Sequence, residues 1–451
     1  MTTRNFFRMC NKIIKPSVTY SACRHAGTFK VVKRPDPTTL KMPAPGTAPK
    51  LMEIIKEKIR LKGPISVAEY MHIVITNPTE GYYMKKETIG ESGDFITSPE
   101  ISQLFGEIIA VWFYAETQKM GMGPGKQLQI VELGPGKGTL MSDILRVLHR
   151  LGYKPADLSI HLVEISDTMQ TVQAHRLCAS HKGCDVDSPY NCEGETPSGI
   201  KVYWYNDLKK VPNSFSWYIA HEFFDVLPIH KFEKTEEGWR EILIDIDENE
   251  KLYYRISAKE TGSVTTLIRP PLDSGDRTEL EVSPRALGLA RQLAQRVDCF
   301  GGLALIADYG HHGEKGDTFR AFHKHQLADP LEHPGTSDLT ADVDFSQLRV
   351  AASLAPGDDN YALVVGPVSQ RDFLRRTQAE ARLRVLLDHA KSEEQQETLR
   401  TAYEMLIDPQ KMGERFKFMA FYPSAMADIL NKYPPIGFTR EEKEDSEKEP
   451  K

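Results

Sequence analysis

One turn constrains the fold of this chain more than any other feature, because it connects an apolar run to a helical stretch through regularly spaced glycines. Residues 128–133 form the apolar run, and Gly134, Gly136 and Gly138 form the turn. Residues 139 to about 151 then have helical periodicity. In open α/β sheets, ligands bind where such a strand ends. The turn therefore predicts a ligand site between a strand and a helix.

The residues around the turn exclude two common ligands. A phosphate-binding P-loop requires a lysine followed by serine or threonine, but Lys137 is followed by Gly138. The dinucleotide fingerprint requires glycine or alanine at its last position, where this chain has Thr139. Neither a nucleoside triphosphate nor a dinucleotide is expected here.

Glu132 lies one residue before the end of the apolar run, so the full pattern is Glu132-x-Gly134-x-Gly136-x-Gly138. The glycines let the backbone approach a small charged ligand, while the Glu132 carboxylate can accept hydrogen bonds from an ammonium group. This pattern resembles the first motif of class I S-adenosylmethionine-dependent methyltransferases. The resemblance implies S-adenosyl-L-methionine as the cosubstrate, and the alternative is a glycine turn that binds no ligand.

Apolar runs alternate with helical stretches along the central part of the chain, which favours an α/β fold with a parallel sheet. The predicted strands are 128–133, 158–165, 202–205, 217–224 and 303–308. We therefore expect a class I methyltransferase (Rossmann-like) fold, with a twisted, mostly parallel sheet flanked by helices. An N-terminal helical extension and an inserted β-ribbon complete the predicted architecture.

Composition sets the predicted domain boundaries. The first 46 residues carry nine Lys and Arg residues against Asp36 alone, which is typical of a mitochondrial transit peptide. A disordered nucleic-acid-binding arm is the alternative. The predicted units are a transit peptide and linker (1–46), a helical extension (47–122), a methyltransferase domain (123–435) with insertions near 184–199 and 229–258, and a charged tail (436–451).

Two helix starts are predicted within the extension. Ser66 and Glu69 have the spacing of a capping box. Ser98, followed by Pro99 and Glu100, has the pattern of a second N-cap. Apolar residues from 101 to 113 then recur at helical spacing, so this second helix should lie against a core.

Further polar residues follow the next predicted strands. Glu164 follows the second strand, where a doubly wound sheet binds a ribose through two hydrogen bonds. Asn206 and Asp207 follow the third strand and should lie beside the adenine, although Asn-Asp is also a common turn sequence. An acid at a strand end is common on protein surfaces, so the prediction for Glu164 depends on the glycine turn that precedes it.

The fourth and fifth strands carry the candidate catalytic residues. Glu222 and Asp225 lie three residues apart after the fourth strand, and Asp308 ends the fifth strand. A pair of carboxylates suits a guanidinium, because it can fix the planar cation and orient one nitrogen. Phe223 and Phe224 could form an apolar wall. The alternatives are that Asp225 caps the next helix and that both phenylalanines belong to the core.

Four motifs in the same order resemble those of the MidA family. They are 93–100 (GDFITSPE), 221–228 (HEFFDVLP), 306–310 (IADYG) and 334–345 (PGTSDLTADVDF). The resemblance covers roughly residues 50–430, and the 184–199 insertion and the charged tail are outside it. Mitochondrial members of this family are protein-arginine methyltransferases that assist the assembly of respiratory complex I. The resemblance thus implies the mitochondrial matrix as the location and the quinone-site core subunit of complex I as the substrate, with symmetric dimethylation as the product.

Other function classes are less favoured by the residues. A set of histidines and cysteines between His175 and Cys192 lacks the spacing of zinc sites, so no metal is expected. Excess acid beyond residue 46 disfavours a nucleic-acid partner, and no apolar run reaches the length of about 18 residues that suggests a membrane span. Two alternatives remain: an assembly chaperone that binds S-adenosylmethionine without turnover, and a methyltransferase for a small molecule or another side chain.

Overall fold

The computed structural model describes residues 50–84, 97–185, 187–268, 277–323, 326–353 and 362–439. The predicted transit peptide and all but four residues of the predicted charged tail lie outside these ranges. No helix in the described ranges is long and apolar enough to cross a membrane.

The described strands, in chain order, are β1 (Ile65–Ser66), β2 (Leu128–Leu133), β3 (Leu158–Val163), β4 (Ser180–Gly183), β5 (Cys192–Glu195), β6 (Lys201–Tyr205), β7 (Ser216–His221), β8 (His230–Thr235), β9 (Gly238–Ile246), β10 (Leu252–Ile256), β11 (Glu279–Val282), β12 (Gly302–His311), β13 (Arg320–His323), β14 (Gln326–Ala328), β15 (Asp338–Thr340), β16 (Val343–Asp344), β17 (Ala362–Ser369) and β18 (Phe416–Pro423). The α-helices are α1 (Leu51–Lys62), α2 (Val67–Thr76), α3 (Ser98–Ile101), α4 (Gln103–Gln118), α5 (Thr139–Arg150), α6 (Asp167–Leu177), α7 (Gly262–Leu267), α8 (Pro284–Phe300), α9 (Phe345–Ser353), α10 (Gln370–Arg376), α11 (Ala379–Asp388), α12 (Glu393–Ile407) and α13 (Ala427–Lys432).

The main sheet of the described chain has ten strands, in the order β17-β18-β12-β7-β2-β3-β6-β5-β4, with β16 beside β12. Strands β12, β7, β2, β3 and β6 run parallel to one another, and β18 is antiparallel to both β12 and β17. The predicted fold class is confirmed. The parallel strands bring the carboxyl ends of β2, β3, β6 and β7 to one edge, which places the site.

Apolar residues cover both faces of this sheet. Helices α4 and α5 pack on one face, where Trp112 and Ile144 join Ile130 in one core cluster. Helices α8 and α9 pack on the other face, where Val297 and Leu348 belong to a second cluster. The strands are buried on both sides, which explains why their sequences are continuous apolar runs rather than alternating ones.

The two insertions form antiparallel structure. Within the first, β5 pairs with β6 and β4 pairs with β5, so a hairpin extends the main sheet at its edge. The second forms β8, β9 and β10, as the alternating pattern predicted. These strands join β1 and β11 in a five-stranded sheet within the described residues. Helices α1 and α2 contribute Ile55 and Tyr70 to the core cluster that contains Ile244 of β9.

The second predicted helix start in the extension is wrong in detail, whereas the first is confirmed. Ser66 caps α2 by accepting a hydrogen bond from the Glu69 N–H at 3.1 Å. Ser98, in contrast, is already the first residue of α3, whose N-cap is Thr97. The chain then extends at Ser102, which caps the separate helix α4 with its own side chain. The apolar spacing alone predicts one helix here. The extended backbone at Ser102, whose side chain caps α4, divides it into two.

Candidate active site

A cavity of about 660 Å³ opens at the carboxyl edge of the parallel strands. The loops after β2, β3, β6 and β7 line it, together with residues of α3 and α8. Most of the residues predicted for the site lie on its wall, namely Glu132, Gly134, Gly136, Glu164, Asn206, Asp207 and Glu222. Three predicted residues, Gly138, Asp225 and Asp308, do not line it. The strand ends thus assemble the predicted cofactor residues around one space.

The glycine turn adopts backbone conformations that favour glycine. The φ angles of Gly134 and Gly136 are 62° and 51°. A Cβ atom on Gly134 would lie 2.7 Å from the ring of Phe223, so the turn after β7 packs directly on the glycine turn. Gly138, with φ of 79°, lies at the N-cap of α5 and packs near Leu177 rather than facing the cavity. Its role in the structure is to start the helix.

Glu132 is buried beneath the turn, and its Oε2 atom has no hydrogen-bond partner among the described residues. Burial raises the pKa of this carboxyl group from 4.5 to about 8, because the charged form loses its hydration. An ammonium group in the cavity would restore a partner and a compensating charge. The Glu132 carboxylate, as a hydrogen-bond acceptor, is therefore suited to the ammonium group at the amino-acid end of S-adenosylmethionine.

Glu164 lies at the end of β3 on the same wall. Its carboxylate accepts hydrogen bonds from the Ser166 N–H at 2.8 Å and from Gln173 Nε2 at 3.1 Å. Burial raises its pKa to about 6, since desolvation exceeds the effect of these donors. Gln173 also donates to the carbonyl of Gly136 at 2.8 Å, so one amide links the predicted ribose residue to the glycine turn.

Asn206 and Asp207 line the cavity after β6. Asp207 also accepts a hydrogen bond from the Lys209 N–H at 2.9 Å, which makes it the cap of a short turn. The structure is therefore compatible with both predictions for this pair, a turn and a position beside the adenine.

Glu222 is the acid that the turn after β7 presents to the cavity. The strand ends at His221, three residues earlier than the predicted 217–224, because Glu222 has a φ of 49° and turns the chain. The Ser98 N–H donates to Glu222 Oε1 at 3.2 Å, and His221 Nε2 lies 3.4 Å from the same oxygen. Burial, with a smaller repulsion from Asp225, raises the pKa of Glu222 well above its ordinary value.

Asp308 and Asp225 lie behind the cavity wall. Asp308 Oδ2 accepts hydrogen bonds from the backbone N–H groups of Phe223 and Phe224, at 3.0 and 2.7 Å. The Asp308 carboxylate therefore holds the turn that presents Glu222. Asp225 is buried, and burial raises its pKa to about 7 while the charge of Arg320 opposes this shift. Of the two phenylalanines, Phe223 lines the cavity and Phe224 belongs to the core, so the predicted wall has only one of them.

Several wall residues were not found from sequence. Thr97, Pro99 and Glu100 enter from α3 and the residue before it, and α8 contributes Arg285, Gln292 and Gln295. For the first group, the available signal was the resemblance of residues 93–100 to a family motif. The sequence contains no comparable signal for the α8 residues, because they belong to no motif and share only one face of a helix.

Two histidines at and after the end of β12 could serve as bases by their chemistry, but neither lines the cavity. His311 is buried at the end of β12, and the Nδ1 of His323 contacts the Thr336 carbonyl at 2.9 Å. His325 lies outside the described residues. The described chain contains no group of three or more His, Cys, Asp or Glu residues that could hold a metal ion.

Comparisons with known proteins agree with this geometry. Residues 108–360 match the family described as "Putative S-adenosyl-L-methionine-dependent methyltransferase". The chain therefore belongs to this family of methyltransferases.

Curated relatives are similar over most of their length. The Drosophila melanogaster "Protein arginine methyltransferase NDUFAF7 homolog, mitochondrial" is 45% identical, over 91% of this chain and 97% of that protein. The Rattus norvegicus "Protein arginine methyltransferase NDUFAF7, mitochondrial" is 49% identical, over 81% of this chain and 83% of its own. A solved Burkholderia thailandensis protein, with S-adenosyl-homocysteine bound, shares the fold with a TM-score of 0.66 at 24% identity, over 82% of this chain and 91% of its own.

Proposed function

We propose that this protein is a mitochondrial methyltransferase that transfers a methyl group from S-adenosyl-L-methionine to arginine side chains of a protein. The similarity to relatives named as mitochondrial protein arginine methyltransferases supports the class of acceptor and the location. The observation that carries the proposal is the position of Glu222, whose side chain is only 9% exposed, on the wall of the cavity that also contains the glycine turn.

The contact between two turns supports a shared reaction space. Phe223 packs on Gly134, and Glu222 is the residue before Phe223 in the chain. Glu222 is therefore adjacent in the chain to a residue that packs directly on the glycine turn. A side chain that binds to Glu222 would lie beside the group that the glycine turn holds.

The chemistry of arginine explains why a carboxylate is needed there. A guanidinium has a pKa above about 12, so its nitrogen lone pairs are delocalised into a cation that attacks carbon poorly. Bound S-adenosylmethionine supplies an activated methyl group. Glu222 can fix the cation on one side and orient one nitrogen. As this nitrogen forms its bond to the methyl carbon, the bond from that carbon to sulfur breaks, S-adenosylhomocysteine leaves, and the nitrogen releases its proton to water. An entering guanidinium also brings a positive charge to Glu222, whose charged form is disfavoured by burial.

We further propose the quinone-site core subunit of respiratory complex I as the substrate and symmetric dimethylarginine as the product, with assembly of the complex as the purpose. This substrate follows from the family resemblance rather than from the geometry of the cavity. The cavity contributes only the requirement for a long cationic side chain.

Incubation with radiolabelled S-adenosylmethionine and subunit peptides tests the proposed reaction. Label should enter peptides that contain arginine and should not enter the same peptides with lysine in its place. Amino-acid analysis of the product then distinguishes symmetric from asymmetric dimethylarginine. Equal labelling of the lysine peptides, or label only in small molecules, would contradict the proposed acceptor.

A further inference from the structure

A guanidinium needs more acceptors than Glu222 provides. It carries five N–H donors in a planar fork, whereas a carboxylate offers two oxygens. In this structure, Glu222 Oε1 already accepts the Ser98 N–H at 3.2 Å. The sequence suggested Asp225 as the second acid, but Asp225 does not line the cavity.

The other acids on the wall lie among the residues predicted for the cofactor. Glu164 accepts hydrogen bonds with both carboxylate oxygens, from Ser166 and Gln173, and Asp207 lies beside Asn206 after β6, where the adenine is expected. Glu132 lies under the turn itself, where an ammonium would bind. Among the lining carboxylates, Glu100 remains.

Glu100 belongs to the same short segment that contacts Glu222. Ser98, whose N–H binds the Glu222 carboxylate, is two residues before Glu100, and both acids line the same cavity. Glu100 Oε1 accepts a hydrogen bond from the Thr139 hydroxyl, at the start of α5. The described residues provide no hydrogen-bond partner for its Oε2. One oxygen is therefore held in place while the other is available to a ligand.

We propose that Glu100 is the second carboxylate that binds the substrate guanidinium, opposite Glu222. Thr139 positions it, and α3 connects it to the segment that orients Glu222. This inference rests on the proposed function, because it names a residue that binds the proposed acceptor. Asp225 and Asp308 then support the turn from behind rather than contact the substrate.

The test compares Glu100→Gln with Thr139→Val, which removes only the hydroxyl that holds Glu100. Binding of an arginine peptide and of its lysine counterpart is measured on protein saturated with S-adenosylhomocysteine, together with cofactor affinity and thermal unfolding. Glu100→Gln should weaken arginine-peptide binding about tenfold or more, since a charge-assisted hydrogen bond is lost. Cofactor affinity should change less than about twofold. Thr139→Val should have a smaller effect on the peptide, and Glu100→Asp should recover part of the lost affinity.

Other outcomes overturn the inference in distinguishable ways. A loss of cofactor affinity in Glu100→Gln, with peptide binding retained, would assign Glu100 to the ammonium of the cofactor. Equal effects of Glu100→Gln and Thr139→Val, matched by equal losses of thermal stability, would make the contact structural. If the wild-type protein prefers arginine and Glu100→Gln keeps that preference, only this inference fails. If the wild-type protein binds arginine and lysine peptides alike, the proposed function fails and this inference fails with it.

Discussion

The two halves of the cavity are built in different ways. The half proposed to bind the cofactor (the cofactor half), with Glu132, the glycine turn, Glu164 and Asn206, comes from loops after three strands that lie side by side. The half proposed to bind the substrate (the substrate half) combines Glu100 with Glu222, which are more than a hundred residues apart in the chain. Each residue of the first half is placed by its own strand, whereas the second half depends on contacts between distant segments.

This difference determines which half can be perturbed locally. A change in the cofactor half should leave the substrate half in place, because each loop is anchored by a buried parallel strand. A change in the substrate half should affect residues that it does not neighbour in sequence, since Ser98 and Asp308 both hold the turn at Glu222. The predictions below test that contrast.

The largest effect is expected for Gly136→Val. A branched side chain would enter the space between the turn and the ligand, and the φ of 51° at Gly136 adds backbone strain. Calorimetry should show S-adenosylmethionine affinity reduced about 100-fold or more, with the fold retained. Gly121→Val is the matched control, because Gly121 has a φ of 68° with open space around it and does not line the cavity. Unchanged affinity in a folded Gly136→Val protein would remove the cofactor from this turn.

Glu164→Ala should have the next largest effect. Loss of charge-assisted hydrogen bonds to a ribose should cost roughly 1.5–3 kcal/mol, or about 10- to 150-fold in cofactor affinity. Glu195→Ala removes a surface acid of the same sheet, outside the cavity wall, and should leave affinity unchanged. If both variants bind S-adenosylmethionine as the wild type does, the ribose site lies elsewhere.

A pH-dependent effect, on stability rather than on affinity, is expected for Glu132→Gln. Burial raises the pKa of Glu132 from 4.5 to about 8, so the folded protein binds this proton more tightly than the unfolded chain. Its contribution to stability is complete below the ordinary pKa and is lost as the pH rises toward the folded-state value. The variant stays neutral throughout, so its stability relative to wild type should rise by roughly 1.4 kcal/mol for each pH unit between about pH 5 and pH 8.

Urea unfolding at several pH values, without cofactor, measures this difference, and saturating S-adenosylmethionine should reduce it. Glu195→Gln, a surface acid, is the control for general effects of charge. Parallel stability curves for Glu132→Gln and wild type would show that Glu132 is not the uncompensated carboxylate of the cofactor half.

The residues predicted for the cofactor lie on the cavity wall more often than those predicted for catalysis, for a physical reason. A strand end and a glycine spacing are local, so Glu132 and Glu164 could be placed before any contact was known. Asp225 and Asp308 lie behind the cavity wall because of the way the turn at Glu222 folds. The positive φ of Glu222 could not be predicted from the sequence, since no glycine occupies that position. Apolar spacing likewise predicted α4 but not the extended residue Ser102 that separates it from α3. The role of α8 as a cavity wall emerges only from its packing on the sheet.

The most direct test of the account is methyl transfer by Glu222→Gln, measured on an arginine peptide together with cofactor affinity. The amide keeps the shape of the side chain but removes the charge that binds a guanidinium. Turnover should fall on the order of 10²-fold or more, because one preorganised electrostatic contact is lost, while cofactor affinity stays nearly unchanged. Assembly of complex I in cells that carry only this variant tests the remaining alternative, an assembly chaperone without turnover. Normal assembly without methylation would favour the chaperone. Full methylation by Glu222→Gln would contradict the account and remove Glu222 from the active site.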